Sequence, residues 1–376
     1  MGHAYTPGLK VTSRAVVRKK RILPIKGDVL VKKGDIVKPD DIIAKTELPG
    51  VVIPVNIANI LGVLPADVPS VLLHDIGKRV ERDTVIAQSK SFFGLFTSEY
   101  ATPFDSTLES VSNLTGQLIL RGDPIPVEVR AYIKGTVTEI YPQEGVMIEE
   151  VAAYIQGIFG IGGEVDGILE MVSTSLDAVL NESDIKESHK GKILVGGSLV
   201  TGAALNKAVE YGVKGIIAAG FEDKDLKEFL GYDIGVAITG TEDKGITLVV
   251  TEGFGQINMA PRTFNLLKSH NGHLVSINGA TQIRAGVIRP EVIIPLGEDL
   301  KDDIPPAESE GAALKIGANL RIIRRPNFGE IGIVTELPPD PTELDSGTYA
   351  RILKLKLNKT GEEVIVPRSN VEMIEE

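Results

Sequence analysis

Two stretches of the sequence repeat one pattern without a gap. Gly34-Asp35-Ile36-Val37-Lys38-Pro39-Asp40-Asp41-Ile42-Ile43-Ala44 is followed, 43 positions on, by Gly77-Lys78-Arg79-Val80-Glu81-Arg82-Asp83-Thr84-Val85-Ile86-Ala87. Gly, Val, Asp, an aliphatic pair and Ala recur in register. Self-similarity at a fixed offset points to one building block used twice, and here the block reads as strand, glycine turn, strand. A weaker echo lies at 132–140 and 142–148, where Ile133-Lys134-Gly135-Thr136-Val137 precedes Gln143-Glu144-Gly145-Val146. From about residue 22 to 150, runs of Val, Ile and Thr alternate with turns such as Lys26-Gly27-Asp28, Leu48-Pro49-Gly50 and Arg121-Gly122-Asp123-Pro124, the pattern of an all-β region. Residues 56–73 interrupt it with Ala, Leu and Asn and read as a short helical insertion.

Past this region the period changes. Residues 157–163, Gly-Ile-Phe-Gly-Ile-Gly-Gly, are dominated by small side chains and read as a flexible crossing. Ile193-Leu194-Val195 is a buried-strand run, and residues 202–211 place apolar side chains at helical spacing with Gly212 as the stop. Strands at 213–218, 246–251 and 273–277 then alternate with helices at 223–230 and, opened by Pro261, to Ser269, which predicts an α/β layer with a mostly parallel sheet. Residues 298–311 are acidic and contain Pro, as a linker does. Five short strands at 320–323, 331–335, 349–357, 363–366 and 371–374 fit a small barrel. The expected fold is therefore multidomain, β and α/β. The boundaries read as a β-domain at 1–156, a connecting segment at 157–192, an α/β domain at 193–297, a linker at 298–316 and a barrel at 317–376. A length of 376 residues suits two or three cores.

Val31-Lys32-Lys33-Gly34-Asp35-Ile36-Val37-Lys38-Pro39-Asp40-Asp41 resembles the turn of lipoyl- and biotinyl-type barrel-sandwich hybrid domains. Pro103-Phe104-Asp105-Ser106-Thr107-Leu108-Glu109-Ser110-Val111 and Gly135-Thr136-Val137-Thr138-Glu139-Ile140 are similar to two versions of the companion strand of those domains. The resemblance covers roughly residues 20–150 and implies the fold. Carrier function would require a modified Lys in the following hairpin. After Ala44 stands Lys45-Thr46-Glu47-Leu48-Pro49-Gly50, and after Ala87 only Lys90 qualifies, flanked by Phe92 and Phe93, so no attached arm is expected. The N-terminal layout is also similar to the start of the C subunit of Rnf-type and the A subunit of Nqr-type redox complexes, which would imply docking onto an electron-transfer assembly. The chain has no Cys to hold the clusters of the former, leaving only the hybrid fold. At the other end, Leu320-Arg321-Ile322-Ile323-Arg324-Arg325-Pro326-Asn327-Phe328-Gly329 resembles a KOW module of the SH3-like barrels. That resemblance implies contact with RNA or protein, with Arg321, Arg324 and Arg325 as the anion contacts. Residues 317–376 carry eight Lys/Arg against ten Asp/Glu, which favours a protein-contacting or structural barrel.

Absence of Cys also excludes disulfides, thiolate nucleophiles and Cys-based zinc sites. A formal net charge of −11 argues against broad binding to nucleic acid or anionic membrane. Arg18, Lys19, Lys20 and Arg21 form a local basic cluster, read as a solvated strand with nucleic-acid contact as the alternative. Gly196-Gly197-Ser198-Leu199-Val200-Thr201-Gly202 follows a strand and opens a helix, where amides cradle anions; it is neither of the common nucleotide-loop patterns. With Glu252, Arg284 and Arg289, the residues Gly196, Gly197, Ser198, Thr201 and Gly202 make up the candidate anion or nucleotide site. The five His residues form no metal set, and no catalytic residue, cofactor or metal is expected.

Three modules without a recognisable catalytic set lead to the expectation of a non-catalytic cytoplasmic scaffold or self-assembling structural protein, a homo-oligomer without membrane insertion. The alternatives are a nucleic-acid-associated factor and an enzyme binding a nucleotide or organic anion in the central domain.

Overall fold

The computed structural model describes residues 6–91, 96–231, 238–239, 242, 244–282, 288–300, 304–305, 314–322, 327, 330–343 and 349–374. Among these the two copies of the repeat fold alike. The leading glycine turns left-handed in both, with φ +94° at Gly34 and +88° at Gly77, a conformation other residues enter at a cost. Its N–H then donates to a companion strand, from Gly34 to the Val137 carbonyl at 2.8 Å and from Gly77 to the Leu108 carbonyl at 2.7 Å. The companion N–H groups return to the next residue along, Val137 to Asp35 and Leu108 to Lys78. Ladder partners agree as well: Gly135 and Thr136 face Val37 and Ile36, while Ser106 and Thr107 face Val80 and Arg79. Ile43, Ala44, Ile86 and Ala87, the closing residues of the two copies, are fully buried.

The second copy is nested inside the first. Strand Ile42–Leu48 leads into Val52–Asn56, and the chain returns through Gln117–Gly122 into Ile125–Arg130. Leu48 pairs with Ile125 and Val52 with Arg121, so the chain enters and leaves the insertion side by side. The inserted unit has its own core, including Ile57, Val68, Ile86, Leu108, Leu118 and Leu120. The outer unit packs Val37, Ile43, Ile133, Val137, Val146 and Ile148. The predicted helical stretch lies in the insertion as helices Ile57–Leu61 and Val68–Val71 joined by a 3-10 turn at Pro65–Asp67. Asn56 caps the first by accepting from the Asn59 N–H at 3.0 Å.

Strand Gly145–Gln156 joins the outer unit to the central layer. It pairs along most of its length with Val11–Ile22, at its start with Gly135–Tyr141 and at its end with Glu291–Pro295. The product is a thirteen-stranded mixed sheet that runs through the boundary expected at residue 156. At its heart Glu164–Met171, Ile193–Val195, Gly215–Phe221 and Thr247–Phe254 run parallel. Leu194, Ile216, Leu248 and Val250 point to the face covered by helices Gly202–Glu210 and Asp223–Leu230. Ile193, Val195, Ile217 and Val249 point to the opposite face, under helix Pro261–Ser269. Burial on both faces explains why these strands read as unbroken apolar runs.

Residues 157–163 are a packed element rather than a loose crossing. Phe159–Ile161 is a buried strand antiparallel to Thr247–Phe254. Its glycines serve close approach, since a Cβ on Gly160 would stand 2.6 Å from the carbonyl oxygens of Gly279 and Leu248.

A second, six-stranded sheet forms at the C-terminal end around Leu320, Val334, Leu353 and Leu355. Its edge strand is Thr6–Leu9, parallel to Val371–Ile374, so the module is completed from the opposite end of the sequence. Among the described residues no helix is long and apolar enough to cross a membrane.

Candidate functional site

The strand-to-helix loop at 196–202 places its polar groups against the protein itself. Ser198 is fully buried, and its hydroxyl donates to the Asp177 carbonyl at 2.7 Å. Thr201 caps helix Gly202–Glu210 by accepting from the Ala204 N–H at 3.2 Å. The Gly202 N–H donates to Asp225 Oδ2 at 2.9 Å. Asp225, from the first turn of the next helix, thus supplies the negative charge that a helix N-terminus attracts. Gly197 is required by proximity, since a Cβ there would come within 2.4 Å of the Ala178 carbonyl oxygen.

Strand Val11–Ile22 carries the basic cluster, and carboxylates from other elements meet it. Arg18 Nε lies 3.1 Å from Glu149, Lys19 Nζ 2.8 Å from Glu291, and Arg21 grips both oxygens of Glu164 at 2.7 Å. Lys20 sits over the Tyr141 ring, 4.6 Å from its centroid. Glu291 is the centre of a buried network that sequence patterns did not reveal. Its carboxylate accepts from the hydroxyls of Tyr132 and Tyr154, each at 3.1 Å, besides Lys19. Burial, and then the nearby Glu291 charge, push the Tyr132 phenol well above its usual 10. Tyr132 also has φ +70°, held by its N–H donating to the Pro39 carbonyl at 2.9 Å and by its hydroxyl on Glu291. A bulky residue keeps such a backbone only where surrounding bonds fix it.

Glu252 and Arg321, predicted for two different sites, meet in one ion pair between the central sheet and the six-stranded sheet. Glu252 Oε1 also accepts from the Ala260 N–H at 3.1 Å, at the entry to helix Pro261–Ser269. Arg289 is half-buried in the loop before Glu291–Pro295. Arg284, Arg324 and Arg325 lie outside the described residues. Among the described residues no group of three His, Cys, Asp or Glu is placed to hold a metal ion.

The open cavity of interest lies elsewhere, at the neck of the insertion. A furrow of about 610 Å³ is lined by Val51, Ile53, Phe104 and Ile125, with Arg82, Asp105 and Asp123 on its rim. Val51 is 60% exposed, Ile53 36% and Ile125 47%, so the apolar lining of the furrow is open to the outside. The neck is narrow because Gly50 and Gly122 pass back to back: a Cβ on Gly50 would stand 1.8 Å from the Gly122 carbonyl oxygen. Arg79 fastens the rim, with Nε 2.9 Å from Asp123 and Nη2 3.4 Å from Asp105. Its hydrogen bond holds the Asp123 carboxyl below the usual range. Two sheet edges flank the furrow, Val52–Asn56 from the inserted unit and Ile125–Arg130 from the outer unit. The sequence signal was the run Val51-Val52-Ile53-Pro54, an apolar stretch directly after a turn. Models of known protein families show no match to this chain, and no curated protein matches it.

Proposed function

We propose that the chain is a structural protein that assembles with further copies of itself, using the neck of the nested β-units as its contact. The observation that carries this reading is the exposed apolar furrow of Val51, Ile53, Phe104 and Ile125, set between two open sheet edges. Sheet edges and contiguous apolar surface are what protein partners cover. The nested units are read as a pair of barrel-sandwich hybrids, on the strength of the matched glycine turns and companion strands. The six-stranded terminal sheet is read as a KOW-type, SH3-like barrel in a structural role. Arg321 in its first long strand faces Glu252 of the central sheet, which favours contact within the protein over contact with nucleic acid.

Size-exclusion chromatography with light scattering over the micromolar range, followed by negative-stain microscopy, tests the proposal. A mass of several chains that grows with concentration is expected. A single-chain mass throughout that range would remove it.

A further inference from the structure

Resting on the self-assembly reading but not on the neck, we propose a second contact between copies: strand Glu363–Pro367 of the terminal sheet pairs antiparallel with the same strand of another chain, about a two-fold axis at Ile365. The strand is the last in its sheet and, among the described residues, pairs on one side alone, with Ile352–Leu357. Two bonds fix which way its backbone groups turn. The Leu357 N–H donates to the Glu362 carbonyl at 2.8 Å, and the Arg368 N–H to the Arg351 carbonyl at 2.9 Å. Even-numbered residues therefore turn their backbone groups into the sheet, and Glu363, Ile365 and Pro367 turn theirs to the open edge. Ile365 is 61% exposed there, and Pro367 has no N–H to leave unmatched.

An edge of this kind accepts another strand, and charge selects which. With the axis at Ile365, each Ile365 exchanges N–H and carbonyl with its counterpart, and each Glu363 N–H meets the Pro367 carbonyl of the other copy. The same pairing sets Glu362 of one chain across from Arg368 of the other. Arg368 donates to the carbonyls of Ile352 and Pro338, at 3.1 and 2.8 Å, and burial and then the neighbouring Arg351 disfavour its charge. Among the described residues no carboxylate pairs with Arg368, and no cation pairs with the exposed Glu362. Each copy thus supplies the charge that the other lacks, on both sides of the axis. Val364 and Val366, on the core face of the sheet, come opposite each other across the same axis. Other edges of the chain fit less well, because Pro7, Pro54 and Pro126 interrupt strands Thr6–Leu9, Val52–Asn56 and Ile125–Arg130. An isologous contact closes on itself, so it makes pairs, and growth beyond pairs is left to the neck.

The chain has no Cys, so full-length single-cysteine variants report the contact directly. Across the axis the two 365 positions stand about 5.5 Å apart at Cα, a separation that a disulfide spans. Ile365→Cys, oxidised at micromolar concentration, is expected to run mainly as a covalent dimer on non-reducing gels. Leu114→Cys, in a turn of the inserted unit and 91% exposed, is expected to stay mainly a single chain. Adding Glu362→Lys to Ile365→Cys should cut the dimer fraction severalfold by setting Lys against Arg368, and high salt should restore part of it. Should Ile365→Cys fail to fold by circular dichroism, Glu362→Lys alone is expected to lower the wild-type mass in light scattering, and an unchanged mass overturns the contact. Equal linking of the two cysteine variants, or linking that Glu362→Lys leaves unchanged, overturns this contact, while a wild-type mass of several chains keeps self-assembly standing. A wild-type protein of single-chain mass whose Ile365→Cys variant links no more than Leu114→Cys overturns both.

Discussion

Glu252 and Arg321 form an ion pair with side chains only 5% and 9% exposed, and it fastens the last parallel strand of the central sheet to the terminal sheet. Removing one partner strands the other charge away from water, which costs about 3–5 kcal/mol, whereas replacing both by apolar side chains is often neutral. Arg321→Ala is expected to lower stability by about that amount, and Glu252→Leu with Arg321→Met to recover most of it. Denaturant unfolding of both variants checks this; equal losses would show that packing, not charge, holds the junction.

The matched turns of the repeat should respond alike. Neither Gly34 nor Gly77 has a neighbour within 4 Å of an added Cβ, so alanine there meets only backbone strain at positive φ. Gly34→Ala and Gly77→Ala are each expected to cost about 1–2 kcal/mol. Gly50→Ala should cost clearly more, because its Cβ would overlap the Gly122 carbonyl at the neck. Urea midpoints for the three variants give the ranking.

His189 makes stability depend on acid. Burial holds its imidazole below the usual 6.5, outweighing Glu170 alongside, and its Nδ1 accepts from the Lys186 N–H at 3.2 Å. The unfolded chain takes up a proton near 6.5 before the folded one does, so this contribution is present above that pH and is lost as pH falls through the folded value. His189→Asn keeps an acceptor for Lys186 and removes the titration. Melting temperatures measured from pH 7.5 down to 5 should fall less steeply in the variant. His270, also lowered by burial, leaves a residual slope.

Tyr132 acts at the alkaline end. Its phenol is raised above 10, so the unfolded chain releases that proton first and stability declines as pH rises past 10. Tyr132→Phe should flatten the decline, with Tyr100 and Tyr141 providing what remains. At neutral pH the same change should cost about 1–2 kcal/mol, because Glu291 keeps Tyr154 and Lys19. Calorimetry at pH 7 and pH 10.5 separates the two effects.

The repeat was legible because its signals are local: a glycine turn, an aliphatic pair and a buried Ala within eleven residues. Helices Asp223–Leu230 and Pro261–Ser269 match the predicted bounds because capping and periodicity are local too. The nesting was not legible, since it depends on Leu48 meeting Ile125 across the whole insertion. Gly157, Gly160 and Gly162 signalled looseness in sequence, yet in the fold they admit neighbouring backbone, a distinction only the partner strands reveal. Arg18, Lys19 and Arg21 looked like one basic cluster because Glu149, Glu291 and Glu164, which meet them, stand more than a hundred residues away. Strand Gly145–Gln156 did carry a clue. Val151-Ala152-Ala153-Tyr154-Ile155 lacks alternation, as a strand buried on both faces does.

The parallel ladder between Thr6–Leu9 and Val371–Ile374 also has a consequence for synthesis. Ribosomes make Thr6–Leu9 long before Val371–Ile374, so while the residues between them are synthesised Thr6–Leu9 has no mate. The nested units and the parallel layer, whose partners are already outside the exit tunnel, are free to form before it. Closure of the terminal sheet must then follow the synthesis of everything between the two strands, and any factor that shields Thr6–Leu9 acts during that wait.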